Sequence, residues 1–168
     1  MHNIELLILH GPPGAGKTSV AQAMSELLRQ QDTTHAVIDL DYLAQIHPRK
    51  HIGIMYKNLA NIWPNYQEIS DIKIIIPTYL QKGELEIIMA AAPARKTTVC
   101  EVVVPVTELE KRIIYREKDI AQRKLHLDYL HQYPTNTPDA AQISFQANNH
   151  EKTREETATE ILRKACWL

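Results

Sequence analysis

Cysteine is scarce in this chain: two in 168 residues, Cys100 and Cys166. Two cannot build a disulfide framework, and neither sits in a metal-ligand spacing. Both are expected to pack as small apolar groups. The eight histidines fit no metal pattern either, such as two on one helical turn with a carboxylate. No apolar run approaches the roughly 20 residues of a membrane span. The first apolar run, residues 4–9, is too short for a signal peptide and contains Glu5. Net charge is -1, which argues against a nucleic-acid binder with a broad basic face. Internal repeats, low-complexity tracts and linker-like stretches are also missing. These absences leave a soluble protein of a reducing, cytoplasmic setting as the expectation. The composition, 44% hydrophobic and 23% charged, is globular, and the length suits one domain over residues 1–168.

What is present organises itself around Gly11-Pro12-Pro13-Gly14-Ala15-Gly16-Lys17-Thr18. An apolar segment precedes it. A helical pattern follows, with Val20, Met24, Leu27 and Leu28 on one face. Strand, glycine-rich turn, helix is the context of a phosphate-binding loop, the Walker A motif. Gly11 and Gly16 lack a Cβ, so the backbone can wrap closely and turn N–H groups inward. The helix start adds about half a unit of positive charge and unpaired N–H donors. Lys17 can reach the β- and γ-phosphates as a point charge, and Thr18 can offer its hydroxyl to Mg²⁺. The residues expected to contact nucleotide are thus Gly11, Pro12, Pro13, Gly14, Ala15, Gly16, Lys17, Thr18 and the adjoining Ser19.

Further along, apolar runs at residues 36–38, 72–76 and 99–104 read as buried strands, the last two bounded by Pro77 and Pro105. Alternation at Ile143 and Phe145 reads as a short fifth strand. Helices are expected over residues 18–30, briefly over 42–46, over 56–62 with a break or kink at Pro64, and over 80–92 despite Gly83. Capping boxes at Thr107–Glu110 and Thr153–Glu156 mark two more helix starts. The last helix would bury Ala158, Ile161, Leu162 and Ala165. Residues 126–139 read as a loop or mobile flap. Continuous apolar strands alternating with helices predict an α/β fold: a parallel sheet with helices on both faces. Ligands bind beyond the carboxyl ends of such strands, where the glycine loop sits.

Asp39 and Asp41 follow the second strand at that same end. Two residues apart in an extended piece, both can face one side. One carboxylate can hold Mg²⁺, directly or through water, and the other can take a proton from an attacking hydroxyl. The alternative is that one of them caps the short helix beginning near Tyr42.

The loop at residues 11–18, the Asp-x-Asp at 39–41, the strand–helix order and the short length together resemble the small P-loop kinases. That group includes shikimate, gluconate, adenylylsulfate and nucleotide kinases and the chloramphenicol phosphotransferases. The resemblance implies the three-layer P-loop NTPase fold, with five parallel strands in the order 2-3-1-4-5. It implies that Asp41 binds and deprotonates the acceptor hydroxyl and that Asp39 is linked to the metal. ATP and Mg²⁺ are the implied cofactors, acting on a small-molecule acceptor, in a monomer or homodimer that does not bind membranes.

Arg112 and Arg116 lie one turn apart after the fourth strand, with Arg123 and Lys124 beyond. Guanidinium groups on a closing flap can neutralise a transferring phosphoryl, and the similar kinases draw arginines from a lid here, about residues 112–139. The compact Arg-x-x-Arg-Pro lid motif of several of them is absent. The competing reading is a solvated face, because Glu108, Glu110 and Glu117 can pair with these arginines at helical spacing. Arg116 is the preferred catalytic residue and Arg112 the preferred nucleotide contact. The acceptor segment implied by the resemblance is about residues 42–70. There His47, Arg49, Lys50 and His51, with Asn58, Trp63 and Tyr66, either line a pocket for a polar or anionic acceptor or form surface and ordinary core. Asn148 and Asn149 precede the last helix, where the resemblance places a loop touching adenine. Asn149 is taken as a nucleotide contact, and a turn or cap is the alternative. Thr78 is a candidate to support the metal indirectly. No Walker B aspartate closes the apolar run of the third strand, which favours kinases whose metal carboxylate follows strand two.

The leading expectation is therefore a kinase passing the γ-phosphoryl of ATP to a small molecule, with Lys17, Asp41 and Arg116 catalytic and Thr18 and Asp39 on the metal. A nucleotide-switched ATPase module and a kinase of nucleic-acid ends are the alternatives. No Asn-Lys-x-Asp guanine motif supports a GTPase.

Overall fold

The computed structural model describes residues 3–47, 51 and 53–168. Five strands form one parallel sheet: β1 (Glu5–His10), β2 (His35–Val37), β3 (Lys73–Thr78), β4 (Lys96–Val103) and β5 (Phe145–Asn148). Their order is β2-β3-β1-β4-β5, the order implied by the resemblance. β1 is central and buried on both faces. Its even residues Leu6 and Ile8 join one core with Ile74, Ile76, Leu59 and Trp63, while Leu7 and Leu9 join a second with Met24, Val102 and Ile161. This is why the strand reads as an unbroken apolar run: successive side chains enter opposite layers, and both layers are dry.

The first layer contains α2 (Leu40–Leu43), α3 (Ile54–Gln67) and α4 (Glu84–Ala91). The second contains α1 (Lys17–Gln30), α5 (Val106–Arg116), α6 (Ile120–Gln132) and α7 (Arg154–Lys164). α1 buries Val20, Ala21, Met24 and Leu28, the helical spacing visible in sequence. α7 starts at a true capping box: the Thr153 hydroxyl accepts from Glu156 N at 3.1 Å, and the Glu156 carboxylate accepts from Thr153 N at 2.8 Å.

Several local expectations give way. α5 does not use the Thr107–Glu110 box. Pro105 N-caps the helix, its carbonyl accepting from Glu108 and Leu109, so Thr107 already lies inside the first turn. Glu110 instead meets His131 at 3.1 Å. α3 runs through Pro64. That proline is exposed, as is Ala60, whose carbonyl would otherwise meet its N–H, while Leu59 and Trp63 hold the other face. β3 includes Pro77 rather than stopping before it. Lys73 N donates to Thr34 O, and Ile75 O accepts from Ile38 N, so the odd residues of β3 face β2. β2 has ended at Val37, so the proline forfeits no ladder bond. α4 begins at Glu84, after Gly83, and not at Leu80.

The largest difference is α6. Residues expected to form a flap are helical to Gln132, after an N-cap in which Asp119 accepts from Gln122 N at 2.8 Å. Only Leu130 of this helix is buried. Leu127 packs partly buried beside it, and the polar residues Gln122, His126 and Tyr129 face the cavity, so the inward face is too mixed to read as an apolar stripe. Among the described residues, no helix is long and apolar enough to cross a membrane.

Candidate functional site

The glycine loop leaves β1 at His10 and enters α1 at Lys17, at the carboxyl edge of the sheet. Two glycines are sterically required. A Cβ on Gly11 would lie 2.7 Å from the Val102 carbonyl oxygen. Gly16 has φ 87°, and a Cβ there would lie 2.5 Å from Asn149 Nδ2. The loop is clamped from behind. Asn149, buried, donates through Nδ2 to Ala15 O at 2.8 Å and accepts through Oδ1 from the Thr157 hydroxyl at 2.9 Å. Arg112 ties Gly14 O at 3.4 Å to Asn149 O at 3.3 Å, while its Nε pairs with Glu108 at 3.2 Å. Across the trans peptide held by Asn149, the Gly16 N–H points the opposite way. Gly16, Lys17, Thr18 and Ser19 all line a cavity of about 510 Å³.

Lys17 folds back onto its own loop, donating to Gly11 O at 2.8 Å and Pro12 O at 3.0 Å. Burial pulls its pKa down to about 8, against the opposing charges of Asp41 and Asp39 and with the help of Arg116. The Thr18 hydroxyl donates to Asp39 Oδ2 at 3.3 Å. Asp39 Oδ1 accepts from Asp41 N at 3.0 Å and so N-caps α2. Capping and proximity to the loop are not alternatives; the same carboxylate does both. Burial and the neighbouring Asp41 raise the Asp39 pKa. The two aspartates do not lie in one extended piece: Asp39 is extended and Asp41 is in the first turn of α2, exposed. The helical turn nevertheless leaves both on the cavity wall, with Arg116 from the end of α5. Arg116 Nε also meets Glu117 at 2.6 Å. Arg123 does not join this wall; it donates to Glu117 O at 2.9 and 3.1 Å and pins the α5–α6 turn. Among the described residues, no three histidine, cysteine or acidic side chains cluster tightly enough to hold a metal by themselves.

Thr78, at the end of β3, lines the cavity. Of the segment after α2, Gln45 and Met55 line it; His47 and His51 are exposed elsewhere. Arg49 and Lys50 fall outside the described residues. Asn58 donates to Leu43 O at 2.8 Å and holds α3 to α2. Trp63 is core, with its indole N–H on Pro93 O at 2.9 Å and Tyr66 tilted against it.

Two groups that carry no sequence signal of their own complete the wall. Tyr79, Gln81 and Glu84 come from the β3–α4 connection; Gln122, His126 and Tyr129 come from α6, which roofs the cavity. Behind the loop lies His10, fully buried. Its Nδ1 accepts from Leu80 N at 3.1 Å, so Nε2 carries the proton toward the hydroxyls of Thr137 and Tyr133, each 2.9 Å away. The Tyr133 hydroxyl donates onward to Glu101 at 2.5 Å. Burial, then Lys17, pushes the His10 pKa down to about 3, so the ring stays neutral beside the lysine. A histidine closing an apolar strand directly before a glycine loop is the one mark in the sequence that points to it.

No family model matches the sequence, and no curated protein matches it. Solved structures do. APS kinase from Mycobacterium tuberculosis, in complex with AMPPNP and APS, is 15% identical with a TM-score of 0.66, over 98% of this chain and 99% of that one. Shikimate kinase from Acinetobacter baumannii, in complex with shikimate, is 15% identical with a TM-score of 0.62, over 99% and 95%. A gluconokinase from Sinorhizobium meliloti 1021 is 14% identical with a TM-score of 0.63, over 99% and 94%. At these identities the likeness is one of fold: the three-layer P-loop fold of small-molecule kinases.

Proposed function

We propose that the chain is an ATP- and Mg²⁺-dependent kinase that transfers the γ-phosphoryl group to a hydroxyl of a small molecule. The observation that carries this reading is the convergence of Lys17, Thr18, Asp39, Asp41 and Arg116 on one cavity beyond the strand ends. The sterically excluded Cβ positions at Gly11 and Gly16 fit a backbone cradle for phosphates. Lys17 turns from the Gly11 and Pro12 carbonyls to the β- and γ-phosphates. The Thr18 hydroxyl and Asp39, 3.3 Å apart, suit Mg²⁺, which takes few protein oxygens and completes its shell with phosphate and water. When bound, Mg²⁺ neutralises charge on the phosphates.

Asp41 accepts the proton of the acceptor hydroxyl as that oxygen bonds to the γ-phosphorus. The bond to the bridging oxygen breaks, and ADP leaves with that oxygen. Arg116 stabilises charge on the transferring group. Asn149 and Arg112 assist from behind, holding the loop in its binding shape. The space beside Asp41 favours an acceptor over hydrolysis alone. The fold neighbour bound to AMPPNP and APS, a nucleotide analogue with a second small molecule, supports the same arrangement by analogy.

Calorimetry and a transfer assay test the reading together. Lys17→Ala should lose tight Mg–ATP binding. Asp41→Asn should keep that binding and cut transfer by roughly 10²–10⁴, the size of a general-base effect. Equal loss of nucleotide binding in both variants would make Asp41 structural, and a wild type that ignores Mg–ATP would remove the reading.

A further inference from the structure

The cavity lining changes character from one end to the other. At the loop end stand backbone amides, Lys17 and Arg116, with the acids Asp39 and Asp41 beside them. The far end, across Asp41, is walled by Gln45, Met55, Tyr79, Gln81, Glu84 and Tyr129. Among the described residues of that wall there is no lysine or arginine. Glu84 opens α4, where the helix start favours a negative charge. Its carboxylate accepts from the Tyr56 hydroxyl and from Gln81 N, both at 2.7 Å. Those two donors hold the carboxylate in place, and the described residues of that wall include no lysine or arginine to pair with it. The phenols beside it register that field: burial first, then Glu84, raises the pKa of both Tyr56 and Tyr79. The remaining surface is aromatic and amide. The rings of Tyr79 and Tyr129 lie 5.7 Å apart, and Gln45 and Gln81 offer neutral donors and acceptors.

We propose that the phosphoryl acceptor is an alcohol without negative charge, uncharged or cationic, whose body rests on the Tyr79–Tyr129 pair while its far end faces Glu84. An anionic acceptor would bring its charge toward Asp41 and Glu84; among the described residues the lysine and arginine lining the cavity are Lys17 and Arg116, and the kinase reading engages both with the triphosphate. An amine or a neutral polar group meets Glu84 and the glutamine amides instead. This rests on the kinase reading above. It also departs from the sequence expectation that admitted an anionic acceptor on the basic stretch around Arg49 and Lys50.

The test measures ADP release by the full-length chain with Mg–ATP over acceptor pairs that differ in charge: glucose against gluconate, adenosine against AMP, ethanolamine against glycerate. The expected result is a kcat/KM at least tenfold higher for the uncharged or cationic member. Glu84→Gln should shrink that preference at least threefold by raising acceptor KM, with the Mg–ATP Kd unmoved. Arg49→Ala with Lys50→Ala should leave acceptor KM within twofold. A preference for the anionic members, or a tenfold rise in KM in the Arg49/Lys50 variant, would overturn the inference and leave the kinase reading standing. Tight Mg–ATP binding with no turnover of any pair would overturn it together with the acceptor step. A chain that does not bind Mg–ATP would remove the kinase reading, and the inference with it.

Discussion

Asn149 and Gly16 touch so closely that a double-mutant cycle can weigh the clamp behind the loop. Asn149→Ala removes the 2.8 Å bond to Ala15 O and the 2.9 Å bond from Thr157. The Thr157 hydroxyl retains Thr153 O at 3.2 Å, so the Ala15 carbonyl carries the loss. A buried acceptor left without a donor costs about 1–3 kcal/mol. Gly16→Ala has two separable costs. The left-handed φ of 87° costs roughly 1–2 kcal/mol for a residue with a Cβ. The new Cβ, 2.5 Å from Nδ2, also forces Asn149 off Ala15, which repeats the first cost. With alanine at 149 that second cost disappears, because the amide is gone. The double variant should therefore be more stable than the sum of the singles predicts, by about 1–3 kcal/mol. Urea unfolding of the four proteins measures this. Additivity within about 0.5 kcal/mol, the behaviour of independent sites, would refute the clamp. In the same set Asn149→Ala should weaken Mg–ATP binding by about tenfold, since about 1.4 kcal/mol of loop ordering would then fall to the ligand.

Mg–ATP affinity should fall as pH rises above 8. Lys17 titrates near about 8, so its charge is present below that value and lost above it. The Kd should rise by up to about tenfold per unit beyond it, and a Kd constant to pH 9.5 would contradict the buried placement. His10 sets a second pH dependence. Its folded pKa of about 3 lies below the ordinary 6.5, so between those values the unfolded chain binds the extra proton. Stability from this site is complete above 6.5 and declines as pH falls, by up to about 1.4 kcal/mol per unit. Urea midpoints taken at pH 7, 6 and 5 should fall more steeply for the wild type than for His10→Asn; parallel lines would count against it. The two thiols should differ sharply in alkylation followed by mass spectrometry. Cys166 is exposed, whereas burial pushes Cys100 up to about 12, so only Cys166 should react without denaturant.

The middle of the sheet was legible because β1, β3 and β4 bury side chains on both faces. Residues 4–9, 72–76 and 99–104 are nearly continuous apolar runs, and most residues buried in β1, β3 and β4 belong to them, with His10, Pro77 and Thr98 buried beyond their ends. Elements misjudged are those whose position is set by something other than apolar pattern. α6 rests on the Asp119 cap, buried Leu130 and partly buried Leu127, too short an apolar record to read as a helix. Pro77 looked like a strand stop because a proline costs a ladder bond only when a partner strand lies on its nitrogen side. That depends on where β2 ends, and β2 ends at Val37, far from Pro77 in sequence. The competition between Pro105 and Thr107 for the start of α5 is likewise decided by whose carbonyl the first amides find.

The same division runs through the candidate site. Its phosphate end is written in consecutive residues, because a loop that wraps an anion needs small residues in a fixed local order. The Asp39–Asp41 pair was legible only as two acids near a strand end; that one of them would cap α2 while meeting Thr18 required the fold. The acceptor end has no local grammar at all. Gln45, Met55, Tyr79, Glu84 and Tyr129 come from four separate stretches and meet only because β3 delivers the chain beside β1 and α6 closes over both. Each is unremarkable where it stands: a tyrosine after a strand, a glutamate in the first turn of a helix. Their shared property, a negative and aromatic wall without a described cation, belongs to the assembly. In a chain built this way, reaction type is carried by a contiguous segment and substrate choice by dispersed ones. Substitutions at the loop should therefore abolish transfer from every donor, whereas substitutions at the far wall should redistribute it among acceptors.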